Sequence, residues 1–205
     1  MNDGVAAQFL KQADPILGQL IEGKLANAER PRSDLLPELA RAIIAQQIST
    51  AAAASIYRRF IQFYADAHAP LTAEMLLATP PEKLRSLGIS RPKVNYLLDL
   101  AQKVHQGLPT LETLEAMDDE DIIKTLTQVK GVGRWTVQML LIFRLQRPDV
   151  LPVDDLGIRK AVQKLYQLDE LPSRKTLEQL GHKWKPYRST ASRYLWQSLK
   201  IVNSD

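Results

Sequence analysis

A fold built wholly of helices is what this 205-residue sequence predicts. Three observations lead there. Apolar residues recur with helical spacing along nearly the whole chain, no stretch alternates convincingly with the period of two that a half-buried strand needs, and caps and breakers fall where helices should start and stop. With 45% hydrophobic residues the chain can bury a core, as one domain or as two small lobes.

The elements follow in order. Pro15 marks an early helix start. Leu35, Leu39, Ala42, Ile43, Gln47 and Thr50 fall on one helix face with Pro37 near its beginning, and an alanine-rich run then leads to Ile56, Phe60 and Phe63. Pro80 and Pro81 punctuate a further start, while Gly88 and Gly107 sit where helices should end. Asp118 reads as an N-cap, with Asp121 favoured by the dipole of the first turn. A Gly131-Val132-Gly133 turn separates that helix from one running from Arg134 through Leu145, which is apolar all round. The last helix carries a stripe of Ala191, Tyr194, Leu195, Ser198, Leu199 and Val202, and Trp196 stands well off it. Gly88-Ile89-Ser90-Arg91 before Val94, Leu97 and Leu98 echoes Gly131 to Arg134 before Val137, Leu140 and Leu141. Two similar helix–turn–helix units and ordinary helix punctuation account for the echo equally well.

Composition removes several function classes. Cysteine is absent, which excludes disulfides, thiolate catalysis, zinc–thiolate sites and iron–sulfur clusters. The three histidines, His68, His105 and His182, are far apart and form no i, i+4 pair, so a histidine metal site has little support. Lys and Arg number 27 against 23 Asp and Glu, a net +4 that is compatible with a polyanionic partner without demanding one. No basic run precedes an apolar stretch at the N-terminus and no apolar run is long enough to span a membrane, so the expected protein is soluble and intracellular, cytoplasmic in a bacterium or nuclear in a eukaryote.

Two motifs carry the chemistry. Val129-Lys130-Gly131-Val132-Gly133-Arg134-Trp135 places a glycine turn between two helices, and such a turn points backbone N–H groups outward, where they bind an anion. A P-loop or a dinucleotide-binding turn would need a preceding strand, so a helix–hairpin–helix for a nucleic-acid backbone remains. Some twenty residues on stands Leu151-Pro152-Val153-Asp154-Asp155.

Together with Ala42-Ile43-Ile44-Ala45-Gln46-Gln47-Ile48-Ser49, Leu87-Gly88-Ile89-Ser90-Arg91 and Trp184-Lys185-Pro186-Tyr187-Arg188-Ser189, these motifs resemble the helix–hairpin–helix (HhH-GPD) DNA glycosylases, and within them the 3-methyladenine DNA glycosylase II (AlkA/Mag-type) branch. The resemblance spans residue 35 to the C-terminus. It implies a two-lobed helical module over residues 1–205, with one lobe near 35–146, a second formed by about 1–34 and 147–205, and the active site in the cleft between them. It also implies a monomer that flips alkylated bases of the 3-methyladenine and 7-methylguanine type out of double-stranded DNA and hydrolyses their N-glycosidic bond.

The family's catalytic aspartate maps onto Asp154, where a fixed carboxylate stabilises positive charge building on the deoxyribose. Helix capping after Pro152 is the competing task for Asp154, and Asp155 is read as ordinary capping. In bifunctional relatives a lysine attacks the sugar from the position held here by Trp135, so hydrolysis without strand cutting is implied. The missing cysteines agree, since endonuclease III-type and MutY-type relatives usually carry an iron–sulfur cluster. Trp135, Met139 and Trp196 form the implied base pocket, and an electron-rich ring over a cationic base contributes about 0.5–2 kcal/mol. Core packing explains Trp135 as well, and Trp184 and Tyr187 fit packing between lobes.

Gln47, with Ile48, maps onto the wedge that fills the gap left by the flipped base, or else is a polar residue at the core edge. Lys130, Gly131, Val132, Gly133 and Arg134 would hold the DNA backbone, with Arg91 and Lys93 adding sequence-independent attraction. No cofactor is implied beyond a monovalent cation on the hairpin carbonyls. The competing classes are a non-catalytic helix–hairpin–helix DNA-binding module, a glycosylase-lyase, and a glycosylase for another damaged base.

Overall fold

The computed structural model describes residues 3–21, 34–65 and 70–201, and among them every regular element is a helix. His68 and Val202 lie outside the described residues. In order the helices are α1 (Asp3–Ala13), α2 (Pro15–Gly18), α3 (Leu35–Ala45), α4 (Thr50–Ala65), α5 (Ala73–Leu77), α6 (Pro81–Ser86), α7 (Arg91–His105), α8 (Leu111–Glu115), α9 (Asp119–Leu126), α10 (Arg134–Phe143), α11 (Leu156–Leu165), α12 (Arg174–His182) and α13 (Arg188–Ile201). No helix among the described residues is long and apolar enough to cross a membrane.

Packing divides the chain into two compact units, Pro31–Val137 and the combination of Met1–Arg30 with Gln138–Asp205. In the first, α7 is the central helix, packing on α3, α5 and α6, while α4 leans on α3. Its sequence suits the position. Pro92 lies in the opening turn, Val94, Leu97, Leu100 and Ala101 make the buried stripe, and Lys103 and His105 complement the dipole in the last turn.

In the second unit α13 packs on α11 and α1. Leu10, Leu17, Ile158, Val162, Leu177, Trp184, Ala191 and Leu195 form its core. One carboxylate is sealed into that core. Asp14 accepts from Trp184 Nε1 at 2.7 Å, from the Tyr166 hydroxyl, and from the Leu17 N–H at 3.2 Å, and lies 3.0 Å from Lys183 Nζ. Burial by itself raises the Asp14 carboxyl, but these bonds outweigh it and hold the group below the usual carboxylate range. Its own partial burial, followed by the hydrogen bond to Asp14, pushes the Tyr166 hydroxyl far above its ordinary range.

Four details differ from the sequence expectation. The stripe from Leu35 to Thr50 is broken, because α3 ends at Ala45 and Gln47 adopts the left-handed conformation at φ 55° before α4 begins. Asp118 stands at the N-cap of α9 without a side-chain capping bond. Helix α10 ends at Phe143 rather than Leu145, where the Arg144 and Leu145 N–H groups both turn back to the Leu140 carbonyl. Trp184 and Tyr187, expected between lobes, pack within their own unit: Trp184 is fully buried in its core, and Tyr187 meets the edge of Phe9 at 5.2 Å.

Candidate functional site

The hairpin follows from backbone geometry that only glycine supports. Gly131 sits at φ 80°, and a Cβ there would come within 2.3 Å of the Tyr96 ring. Val132 between the glycines is buried and its N–H returns to the Val129 carbonyl at 3.0 Å, so the turn is pinned from inside. Asp99 of α7 accepts the Lys130 N–H at 2.8 Å and stands 3.8 Å from its ammonium. Arg134, first residue of α10, makes a two-pronged pair with Glu120, one arm at 3.0 Å.

The echo seen in the sequence is structural. Gly88 before α7 has φ 95° as Gly131 before α10 has φ 80°, Ile89 is buried as Val132 is, and an arginine opens each following helix.

The loop bearing Gln47 is braced against this hairpin. Gln46 donates its side-chain amide to the Gly131 carbonyl at 2.7 Å, leaving Gln47 and Ile48 exposed at the tip. Lys93 corrects the sequence reading. Its ammonium donates to the Ile44 carbonyl at 2.8 Å and the Gln46 carbonyl at 2.7 Å, closing the C-terminus of α3, and burial lowers its pKa. It is a brace for the loop, whereas Arg91 is exposed. Gln47 itself is no core-edge residue, since it is exposed on a loop.

In the other unit the chain before Asp154 is held from α13. Arg188 grips the Asp149 carboxylate with Nε at 2.6 Å and Nη2 at 2.9 Å, and the Ser189 hydroxyl accepts the Val150 N–H at 3.0 Å. The Trp184–Ser189 stretch thus fixes the approach to Pro152.

Asp154 and Asp155 then divide the labour. Asp155 caps α11, its Oδ1 accepting the Ile158 N–H at 2.8 Å. The same oxygen accepts Trp196 Nε1 at 2.8 Å. The missing side chain of Gly157 makes room for that indole, since a Cβ there would lie 3.3 Å from it. Asp154 makes no cap; its carboxylate is 53% exposed and pairs with Arg174 at 2.8 Å.

Trp196 stacks on Phe143 at 5.6 Å and 30°. Phe143 stands one helical turn beyond Met139, which is half-buried, and Met139 one turn beyond Trp135, which is 46% exposed. Core packing therefore does not account for Trp135. Phe143, Gln46 and Arg174 were missed in the sequence; the i, i+4, i+8 spacing from Trp135 was the available signal for Phe143.

Two features define the class of this helical protein: a glycine hairpin opening one helix, and an exposed aspartate two residues after a proline just ahead of the next. Residues 40–186 match the HhH-GPD superfamily of base excision DNA repair proteins, and the chain belongs to that superfamily. It is similar to DNA-3-methyladenine glycosylase 1 of Schizosaccharomyces pombe, 36% identical over 188 residues that cover 91% of this chain and 82% of the relative. Among solved structures it resembles the S. pombe 3-methyladenine DNA glycosylase (Mag1) in complex with abasic DNA, with TM-score 0.84, 32% identity and full coverage of both chains. It also resembles a DNA-3-methyladenine glycosidase from Bacillus halodurans, with TM-score 0.81, 31% identity, and coverage of 98% and 91%.

Proposed function

We propose that this protein is a monofunctional DNA glycosylase of base excision repair, which flips alkylated purines of the 3-methyladenine and 7-methylguanine type out of duplex DNA and hydrolyses their N-glycosidic bond. The observation that carries this reading is the division between two adjacent carboxylates. Asp155 takes the capping task that competes for an aspartate after Pro152, which leaves Asp154 exposed, clear of the cap and paired with the exposed side chain of Arg174.

The chemistry follows from charge. Bases alkylated at ring nitrogens carry positive charge and leave without a general acid, so the demand on the protein is to stabilise the deoxyribose cation and admit water. Asp154 meets the first demand and orients the attacking water. Trp196, its indole fixed by Asp155 and Phe143, offers the departing base a stacking surface, and Trp135 and Met139 are the further base contacts that the family resemblance implies. Trp135 supplies no amine, so no Schiff base forms.

Gln47 enters the stack with Ile48 beside it, while Gly131 and Gly133 hold a phosphate through backbone N–H groups. Lys130, Arg134 and Arg91 add attraction that is blind to sequence. No organic cofactor is required. A monovalent cation on the hairpin carbonyls would add local positive charge, although the Gly131 carbonyl is already engaged by Gln46. The protein works as a monomer.

The test is release of methylated bases from alkylated duplex DNA. Wild-type protein frees them and leaves the strand intact, borohydride traps no covalent complex, and Asp154→Asn binds DNA but loses base release by about 100-fold or more, the scale of removing one preorganised electrostatic group. Full activity in that variant sinks the mechanism. DNA binding without base release by the wild type indicates the non-catalytic module instead.

A further inference from the structure

The guanidinium beside Asp154 creates a difficulty that points to its own answer. Arg174 Nη2 lies 2.8 Å from Asp154 Oδ2. A carboxylate paired in this way presents little net charge, and a guanidinium at its side repels the sugar cation that the carboxylate should stabilise. The pair must open before the reaction. We propose that Arg174 is a DNA phosphate ligand which the free protein parks on Asp154, and that bound DNA draws it away and restores the carboxylate's charge. The proposal rests on reading Asp154 as the sugar-facing carboxylate.

Three features support the exchange. The pair is weakly held, because the side chains are 64% and 53% exposed and pairs in water contribute little. The backbone beneath Arg174 is firm: Ser173 caps α12 by accepting the Thr176 N–H at 3.1 Å, and Arg159 Nε donates to the Pro172 carbonyl at 2.9 Å, so the long side chain swings from a fixed base. Arg174 and Lys175 occupy the first turn of α12, which has no acidic residue. Cations there oppose the helix dipole, so helix stability does not explain them. A guanidinium fork fits phosphate as well as carboxylate, which makes the exchange geometrically matched.

The experiment measures affinity for a duplex carrying a tetrahydrofuran abasic analogue across a salt series, for wild type, Arg174→Ala, Arg174→Lys, Asp154→Asn and the Arg174→Ala/Asp154→Asn double variant. Arg174→Ala should bind about fivefold more weakly, and its slope of log affinity against log salt should be shallower by about one. Arg174→Lys should recover most of the affinity. Asp154→Asn should bind more tightly than wild type because Arg174 has lost its competing partner, and most of this gain should vanish in the double variant. Unchanged affinity and slope in Arg174→Ala, or strictly additive effects in the double variant, overturn the exchange. Full base release by Asp154→Asn instead overturns the underlying assignment of Asp154, so the two failures are told apart.

Discussion

Asp155 offers the sharpest test of how stability and recognition are joined in this protein. One oxygen, Oδ1, receives both the Ile158 N–H and the Trp196 indole N–H, each at 2.8 Å. Asp155→Ala removes a helix cap, which costs about 1 kcal/mol. It also strands an indole N–H that is half-buried, and the partial exposure keeps that loss near the lower end of the usual range, about 1 kcal/mol. The sum is about 2 kcal/mol, readable as a lower urea midpoint at unchanged slope. Asp155→Ser separates the two contributions. A serine caps α11 about as well but is one carbon shorter and does not reach the indole, so it should regain about 1 kcal/mol of stability. It should not regain base release, which should stay about fivefold below wild type because the stacking ring is no longer held, a barrier change of about 1 kcal/mol. Trp196→Phe in the Asp155→Ser background should then cost about 1 kcal/mol less than it does in the wild-type background, since the bond it would break is already gone while the lost packing is the same in both. The reasoning is refuted if Asp155→Ser restores release in full, or if the stability losses from Asp155→Ser and Trp196→Phe simply add.

Two further outcomes follow from the fold. Gly131→Ala combines a left-handed backbone with a Cβ 2.3 Å from the Tyr96 ring, so it should destabilise by about 2–4 kcal/mol by urea titration and weaken abasic-DNA binding out of proportion to Gly133→Ala, whose Cβ meets nothing within 4 Å. Asp14→Asn leaves Trp184 Nε1 and Lys183 facing a neutral amide in the core and should cost about 3–5 kcal/mol near neutral pH. The folded Asp14 carboxyl titrates below its unfolded value of about 4, so its stabilisation is fully present above that pH and is lost as pH falls through the folded value. The gap in urea midpoint between wild type and variant should be flat from pH 8 to about 5 and close below about 4.

The helices were legible because burial imposes a period of 3.6 that survives in the sequence, and the hairpin because its φ of 80° demanded glycine. The break after Ala45 was not. Gln47 takes a left-handed conformation without being glycine or asparagine, so the apolar stripe seemed to run on. Contacts distant in sequence leave no local mark. Lys93 reaches carbonyls 47 and 49 residues away, and Trp196 finds its acceptor 41 residues back. The division between Asp154 and Asp155 was legible only through the resemblance, which maps the family's aspartate onto Asp154 and leaves capping to Asp155; local propensity alone does not say which of two adjacent aspartates turns toward the Ile158 N–H. Arg174 did leave one trace, a cation in the first turn of a helix, where the dipole disfavours it.

The pairing of Lys130 with Asp99 and of Arg134 with Glu120 bears on how the protein searches a genome. Each of these exposed cations has a carboxylate of the fold beside it, and Lys93 is consumed by backbone carbonyls. These carboxylates stay in place when a phosphate arrives, so the net positive charge the hairpin brings to DNA is smaller than its number of lysines and arginines, and fewer of the cations condensed on the DNA are released for each basic residue. On the proposed reading, non-specific contact at the hairpin is therefore shallower in its salt dependence than the count of basic residues implies, which favours a protein that must leave millions of undamaged bases quickly.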